Sequence, residues 1–241
     1  MYQPDAIAQY NVRGQRFLVT ANEGDSRSSE DFPGFNEQVR LRSDSYVLDP
    51  TAFPDAATLK QRSVLGQLNV TNASGDLDGD GDFDRIVSFG ARSFSIWTAD
   101  GELVWDSGDQ LEQFFAEPAN GYTAIFNASS SNTLDSRSDD KGPEPEGIAV
   151  GKVGGRTYAF IGLERMGGVM ACDVSNPTAP TFAAYANTRN LTNLDEVLGD
   201  RGAEGVTFIA GEDSPNGKPL VLVGNEVSRT VSIFQVTKVK P

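Results

Sequence analysis

Residues 145–174 read PEGIAVGKVGGRTYAFIGLERMGGVMACDV. Two other stretches repeat the same order of parts: PDAIAQYNVRGQRFLVTANEG over residues 4–24, and AEGVTFIAGEDSPNGKPLVLVGNEVSRTVSIFQV over residues 203–236. Each copy begins with an acidic residue (Asp5, Glu146 or Glu204) and continues into an apolar strand. A turn with glycine and a basic residue follows: Gly14 to Arg16, Gly155-Arg156, Gly217-Lys218. A second hydrophobic strand then ends in a glutamate: Glu23, Glu164 or Glu226. Short alternating strands split by Gly and Asp turns mark antiparallel meanders. Repeats of this kind predict an all-β fold, a β-propeller whose units bury their faces only against neighbours.

The strands make about three to four blades, and closed propellers have about four to eight. Residues 1–241 therefore read as one partial β-propeller domain, an incomplete arc of a larger propeller, with blades expected before Met1. Further strands are expected at Ser45 to Leu48, Arg85 to Phe89, Ser93 to Thr98 and Leu103 to Asp106. Helical turns are expected at Thr51 to Gln61, Gln110 to Phe115 and Leu191 to Leu198. Two polar stretches stand out as irregular, Asn22 to Gly34 and Asn127 to Glu146. Long loops of this kind either carry function or are solvated connections.

Between the first and second copies lies DLDGDGDFDRIVS, residues 76–88. Asp76, Asp78, Asp80 and Asp84 fit positions 1, 3, 5 and 9 of a calcium loop, with Asp82 between them and Gly81 at the sharp turn. Val87 stands where an EF-hand has its bidentate glutamate, and no helix is expected to follow, so the loop is not an EF-hand. Its spacing resembles the FG-GAP calcium loop of propeller blades. The expected cofactor is Ca2+ in a structural role, since five unneutralised carboxylates would repel one another. The alternative is an acidic hairpin turn without an ion.

The totals narrow the chemistry. Formal net charge is -14 with a sequence pI near 4.4, which argues against nucleic-acid or anionic-membrane partners. There is no histidine, so histidine triads, histidine zinc sites and imidazole acid–base catalysis are excluded. Cys172 is the one cysteine, so no disulfide forms within the chain, and it reads as a buried small hydrophobe. No apolar stretch reaches transmembrane length, and the first residues lack the regions of a signal peptide.

Equivalent carboxylates of successive blades should converge near the propeller axis. Such a ring either binds a cation or cationic group, or accepts hydrogen bonds from backbone amides of the next blade and so locks blade to blade.

The segments FLVTANEGDSR (17–27), DLDGDGDFDRIVSFGARSFSIW (76–97), LVWDSGDQLE (103–112), DSRSDDKGPEPEG (135–147), YAFIGLERMGG (158–168) and NEVSRTVSIF (225–234) together resemble the C-terminal portion of the choice-of-anchor I family. That resemblance implies an exported bacterial propeller, secreted, periplasmic or held at the cell surface. Members are similar to proteins labelled mesenchyme-specific cell surface glycoprotein, and some carry an alkaline phosphatase label.

Two functions are therefore expected. One is a calcium-stabilised extracellular module with a binding or structural role and an unidentified extracellular ligand. The other is a metal-dependent phosphoester hydrolase acting on a small-molecule substrate. For the hydrolase, Asp25, Glu146, Glu164, Glu204 and Glu226 are the candidate cation ligands. Arg27, Arg137, Lys141 and Arg165 are the candidate phosphate contacts. Ser26 and Ser136, each before an arginine, are the candidate nucleophiles.

Overall fold

A computed structural model describes residues 1–28, 33–191, 193, 196 and 198–237. It is all-β, with antiparallel sheets and few helices. The first sheet orders its strands β1 (Ala6–Val12), β2 (Gln15–Asn22), β5 (Ser93–Thr98) and β6 (Leu103–Asp106) side by side. Between β2 and β5 the chain leaves for an excursion that holds β3 (Gln38–Arg40), α1 (Ala56–Leu59) and β4 (Asn69–Thr71). After β6 come α2 (Gln110–Ala116) and the long loop. The second sheet is an up-and-down meander of β7 (Pro145–Val153), β8 (Arg156–Leu163), β9 (Val169–Asp173) and β10 (Thr181–Ala186). The third comprises β11 (Ala203–Ile209), β12 (Leu220–Asn225) and β13 (Thr230–Gln235).

The second sheet is packed on both faces, because successive side chains of a strand point to opposite sides. From β8, Ala159, Ile161 and Leu163 join Val19, Ala21, Phe94 and Ile96 of the first sheet, with Leu111 and Phe115 of α2 in the same core. Phe160, between them in sequence, faces the other way and packs with Val221 and Val223 of the third sheet. Strand β7 lies beside β1 on one flank and β11 on the other. The excursion has its own small core of Leu41, Tyr46, Leu48, Val70 and Phe83, in which the Tyr46 and Phe83 rings stack at 4.0 Å.

Most expected elements form, with adjusted ends. Two expected strands do not. Ser45 to Leu48 and Arg85 to Phe89 are reduced to isolated bridges, Leu48 with Phe83 and Val70 with Ser88. Here the backbone groups find scattered partners instead of one ladder: Phe83 N–H donates to the Val47 carbonyl, Arg85 N–H to Gly75 and Thr71 N–H to Val87. Three strands were not expected, β3, β4 and β10. The alanine-rich TFAAYA of β10 carries little alternation to announce it. The helix expected at Leu191 to Leu198 falls on residues 192, 194, 195 and 197, outside the described residues, as do residues 29–32 of the first polar loop.

Candidate functional site

Asp5 directly precedes β1, Glu146 and Glu204 are the second residues of β7 and β11, and β2, β8 and β12 run directly into Glu23, Glu164 and Glu226. The structure brings these ends together. Asp5, Glu23, Glu146, Glu164 and Glu226 line one cavity of about 450 Å³, together with Asp25, Lys141 and Arg165. Glu204 is not among the lining residues, yet its charge acts on Glu146. Oxygens of Asp5, Glu23 and Glu146 lie within 4.8 Å of one another, a spacing that could hold a metal ion.

Loop 127–146 supplies the wall of this cavity. It is held by Arg92, whose guanidinium donates to the Ser138 and Asp140 carbonyls at 2.7 and 2.8 Å. It is held again by Asn69, whose N–H donates to the Asp139 carbonyl. The loop places Lys141 Nζ 2.5 Å from Glu23 and 3.5 Å from Glu144. Glu144 is fully buried and meets Arg137 at 2.5 Å and Arg165 at 2.9 Å. Its backbone φ of +51° is one that a non-glycine residue rarely adopts, and strain of this sort concentrates at functional sites.

Burial alone would raise the Glu144 pKa. A hydrogen bond from Glu164 and the charges of Lys141, Arg137 and Arg165 overcome it, and the carboxyl is held below its usual range. Glu164 moves the other way, pushed up to about 9 by burial and by the Glu144 carboxylate it faces. At neutral pH the pair shares one proton, carried on Glu164. Burial, with the charges of Glu23, Asp5, Glu204 and Glu226, raises Glu146 to about 8. Its Oε2 is buried without a hydrogen-bond partner.

The residues expected to grip phosphate are thus engaged elsewhere. Arg137, Lys141 and Arg165 are ion-paired within the carboxylate cluster. Arg27 donates to Glu37 through its N–H, Nε and Nη2, and these bonds hold the Glu37 carboxyl down at about 2. Ser26 Oγ donates to Gln38, and Ser136 Oγ to the Thr133 carbonyl.

The expected locking by backbone amides is also absent. Among the described residues, the carboxylates of Glu23, Glu146, Glu164, Glu204 and Glu226 accept no backbone N–H. Where they have partners, these are side chains. Lys141 and Arg165 reach the cavity and pair with Glu23 and Glu164 there. Glu144 was not foreseen as a site residue. Its signal was faint: an acid between two prolines, Pro143 and Pro145, inside a polar loop.

In the acidic loop, Asp76, Asp78 and Asp84 bring oxygens within 4.8 Å of one another. Asp76 accepts the Gly79 and Gly81 amides at 2.6 and 3.1 Å, and Asp84 accepts that of Leu77 at 2.7 Å. Asp80 and Asp82 stand outside the trio; Asp80 accepts the Asp82 amide at 3.1 Å.

Several antiparallel sheets with few helices, whose strand ends meet in an acid-lined cavity, make this an all-β protein. The chain belongs to the choice-of-anchor I domain family, which matches residues 1–177. It is 34% identical over 194 residues to Gigasin-3a of Magallana gigas, covering 74% of this chain and 67% of that one. It is 30% identical over 191 residues to the mesenchyme-specific cell surface glycoprotein of Strongylocentrotus purpuratus, covering 67% of this chain and 24% of that one. The chain thus spans about a quarter of the sea-urchin protein's length. No solved structure matches it significantly. Among the described residues, no helix is long and apolar enough to cross a membrane.

Proposed function

We propose that the chain is an arc of a β-propeller, stabilised by calcium at the 76–88 loop, that serves as an extracellular binding or structural module of a secreted or surface-anchored bacterial protein. The observation that carries this reading is the meeting of repeat-end acids from three successive sheets in one cavity. Radially arranged blades bring equivalent positions toward an axis, and the contacts of β7 with both β1 and β11 support that reading. The family's name and that of the sea-urchin relative support a place outside the cell. The Asp76, Asp78 and Asp84 trio supports the calcium assignment, because a hard cation is matched by several carboxylate oxygens on one flexible loop. Titration of the chelator-treated chain with calcium tests this reading. Saturable uptake that raises the melting temperature supports it, and no uptake overturns it.

A second reading, a metal-dependent phosphoester hydrolase, is favoured by one observation. Asp5, Glu23 and Glu146 lie close enough to hold a cation, and Glu146 Oε2 is buried with no hydrogen-bond partner. A cation at that point supplies a Lewis acid and an activated water without histidine. Lys141 and Arg165 then set the charge of the cavity. Turnover of a generic phosphomonoester or diester with calcium, lost in Glu146→Gln and Glu226→Gln, supports this reading. Background rates, or activity that survives both substitutions, exclude it.

A further inference from the structure

Arg27, Arg92, Arg137 and Arg165 are ion-paired. Arg189 and Arg201 are not. Arg189 is 5% exposed. Its Nη1 donates to the Arg165 carbonyl at 2.7 Å, and its Nη2 to the Ser129 carbonyl at 2.9 Å and to Asn132 Oδ1. Its Nε is buried with no acceptor. Arg201 is half-buried, and its Nε is likewise buried and unpartnered. Neither guanidinium meets a carboxylate within salt-bridge distance among the described residues. The nearest acid in sequence, Asp200, is occupied by the hydroxyls of Thr188, Thr230 and Ser232.

The backbone holds these two side chains together. Asp200 N–H donates to Thr188 Oγ1 at 3.0 Å, and Asn190 N–H to the Leu198 carbonyl at 3.2 Å. Segments 188–190 and 198–200 therefore run side by side in opposite directions. Arg189 Cδ and the carbonyl of Asp200, the residue before Arg201, both lie within 3.3 Å of the point where a Cβ on Gly167 would stand. Burial lowers the Arg189 pKa, and the Arg201 charge adds to this against the opposing effect of Tyr185. Ser130, next in the chain to the Ser129 that Arg189 grips, also has a buried, unpartnered hydroxyl.

Two like charges side by side, partly desolvated, with orphaned donors, make an unfavourable arrangement unless an anion joins them. We propose that Arg189 and Arg201 form a binding site for a tetrahedral oxyanion, a phosphate or sulfate group. Arg201 offers the fork of a free guanidinium, which suits two-point contact with such oxygens. Arg189 is fixed by its carbonyl contacts and presents Nε from a rigid side chain. The Arg165 carbonyl links this site to the carboxylate cavity that Arg165 lines. The chain's overall charge of -14 disfavours polyanions, so the ligand is a small oxyanion or a single charged group on a larger molecule.

Isothermal titration of the full chain with inorganic phosphate, and separately with inorganic sulfate, in chloride buffer at constant ionic strength tests this. We expect saturable one-to-one binding of at least one ion, and the pair of titrations tells which. Arg201→Ala should weaken it about tenfold to a hundredfold. Arg62→Ala, at an exposed position remote in sequence, should bind as the parent does. Arg201 makes no side-chain hydrogen bond, so Arg201→Ala should retain the parent's circular dichroism. Arg201→Gln gives a second variant of similar length. Failure of both ions to bind saturably, or parental affinity in both Arg201 variants, would overturn the site.

Discussion

Lys141 Nζ sits 2.5 Å from a Glu23 carboxylate oxygen, although 118 positions separate the two residues. The contact ties the end of β2 to the loop that leads into β7. It thereby couples the first sheet to the second through buried charge as well as through the apolar core. Burial alone would lower the Lys141 pKa, but the Glu144 and Glu23 carboxylates raise it, so the lysine stays charged.

Removing the acid at the centre of this cluster strands its cations. Glu144→Gln leaves Arg137, Lys141 and Arg165 without their shared buried counter-charge and should cost about 3–5 kcal/mol. Urea unfolding measures it. A loss below about 1 kcal/mol would mean that the cluster behaves like a surface pair.

Stability should fall as pH rises from about 4.5 toward 9. Glu164 holds its proton up to about 9 when folded, against a usual 4.5, so over that window the unfolded chain releases a proton that the folded chain keeps. The benefit is complete below the unfolded value and is lost as pH passes the folded one. Glu164→Gln should flatten this slope, since an amide can donate to Glu144 without titrating. Melting temperatures across the range decide it; an unchanged slope in the variant would rule out Glu164 as the source.

Gly147→Ala should loosen the third sheet from the second. An added Cβ would stand 1.9 Å from the Glu204 carbonyl oxygen, so the backbones must part. A cost of about 1–3 kcal/mol or more follows, with faster amide exchange concentrated in β11. Uniform exchange across the chain would contradict it.

The acidic loop should discriminate among its own aspartates. Calcium at about a hundred times its dissociation constant should add about 2.7 kcal/mol. Asp78→Asn should remove most of that response, whereas Asp82→Asn, outside the trio, should keep it. Calorimetry with and without chelator makes the comparison. Equal responses in the two variants would show that loop charge, not coordination, is at work.

The repeat was legible because strands buried on both faces leave a plain mark. FLVTAN, YAFIGL and LVLVGN are largely apolar runs, and each lies in the interior of its sheet. The acids bracketing them were readable for the same reason, since equivalent strand ends meet. Glu144 and the Lys141 contact were hidden: their neighbours are far away in sequence, and no pattern of residue types encodes that distance. The run RIVSF misled because its composition suits a strand, while the aspartates before it turn the local amides toward side chains. Arg189 and Arg201 gave no signal either, since unsatisfied donors exist only once the partners are in place.

Residues 23–92 separate β2 from β5, yet those strands pair from Phe17 with Thr98 to Asn22 with Ser93. The two ends of the excursion touch where Gly90, at φ +63°, lies so close that an added Cβ would be 1.8 Å from the Glu23 carbonyl oxygen. The first sheet is therefore completed only after a long loop has closed, a step that is entropically costly and slow. Whatever compacts the excursion beforehand shortens the search for that closure. Ion binding at the acidic loop would then appear in the refolding rate, with the first sheet last to form when the excursion is left open.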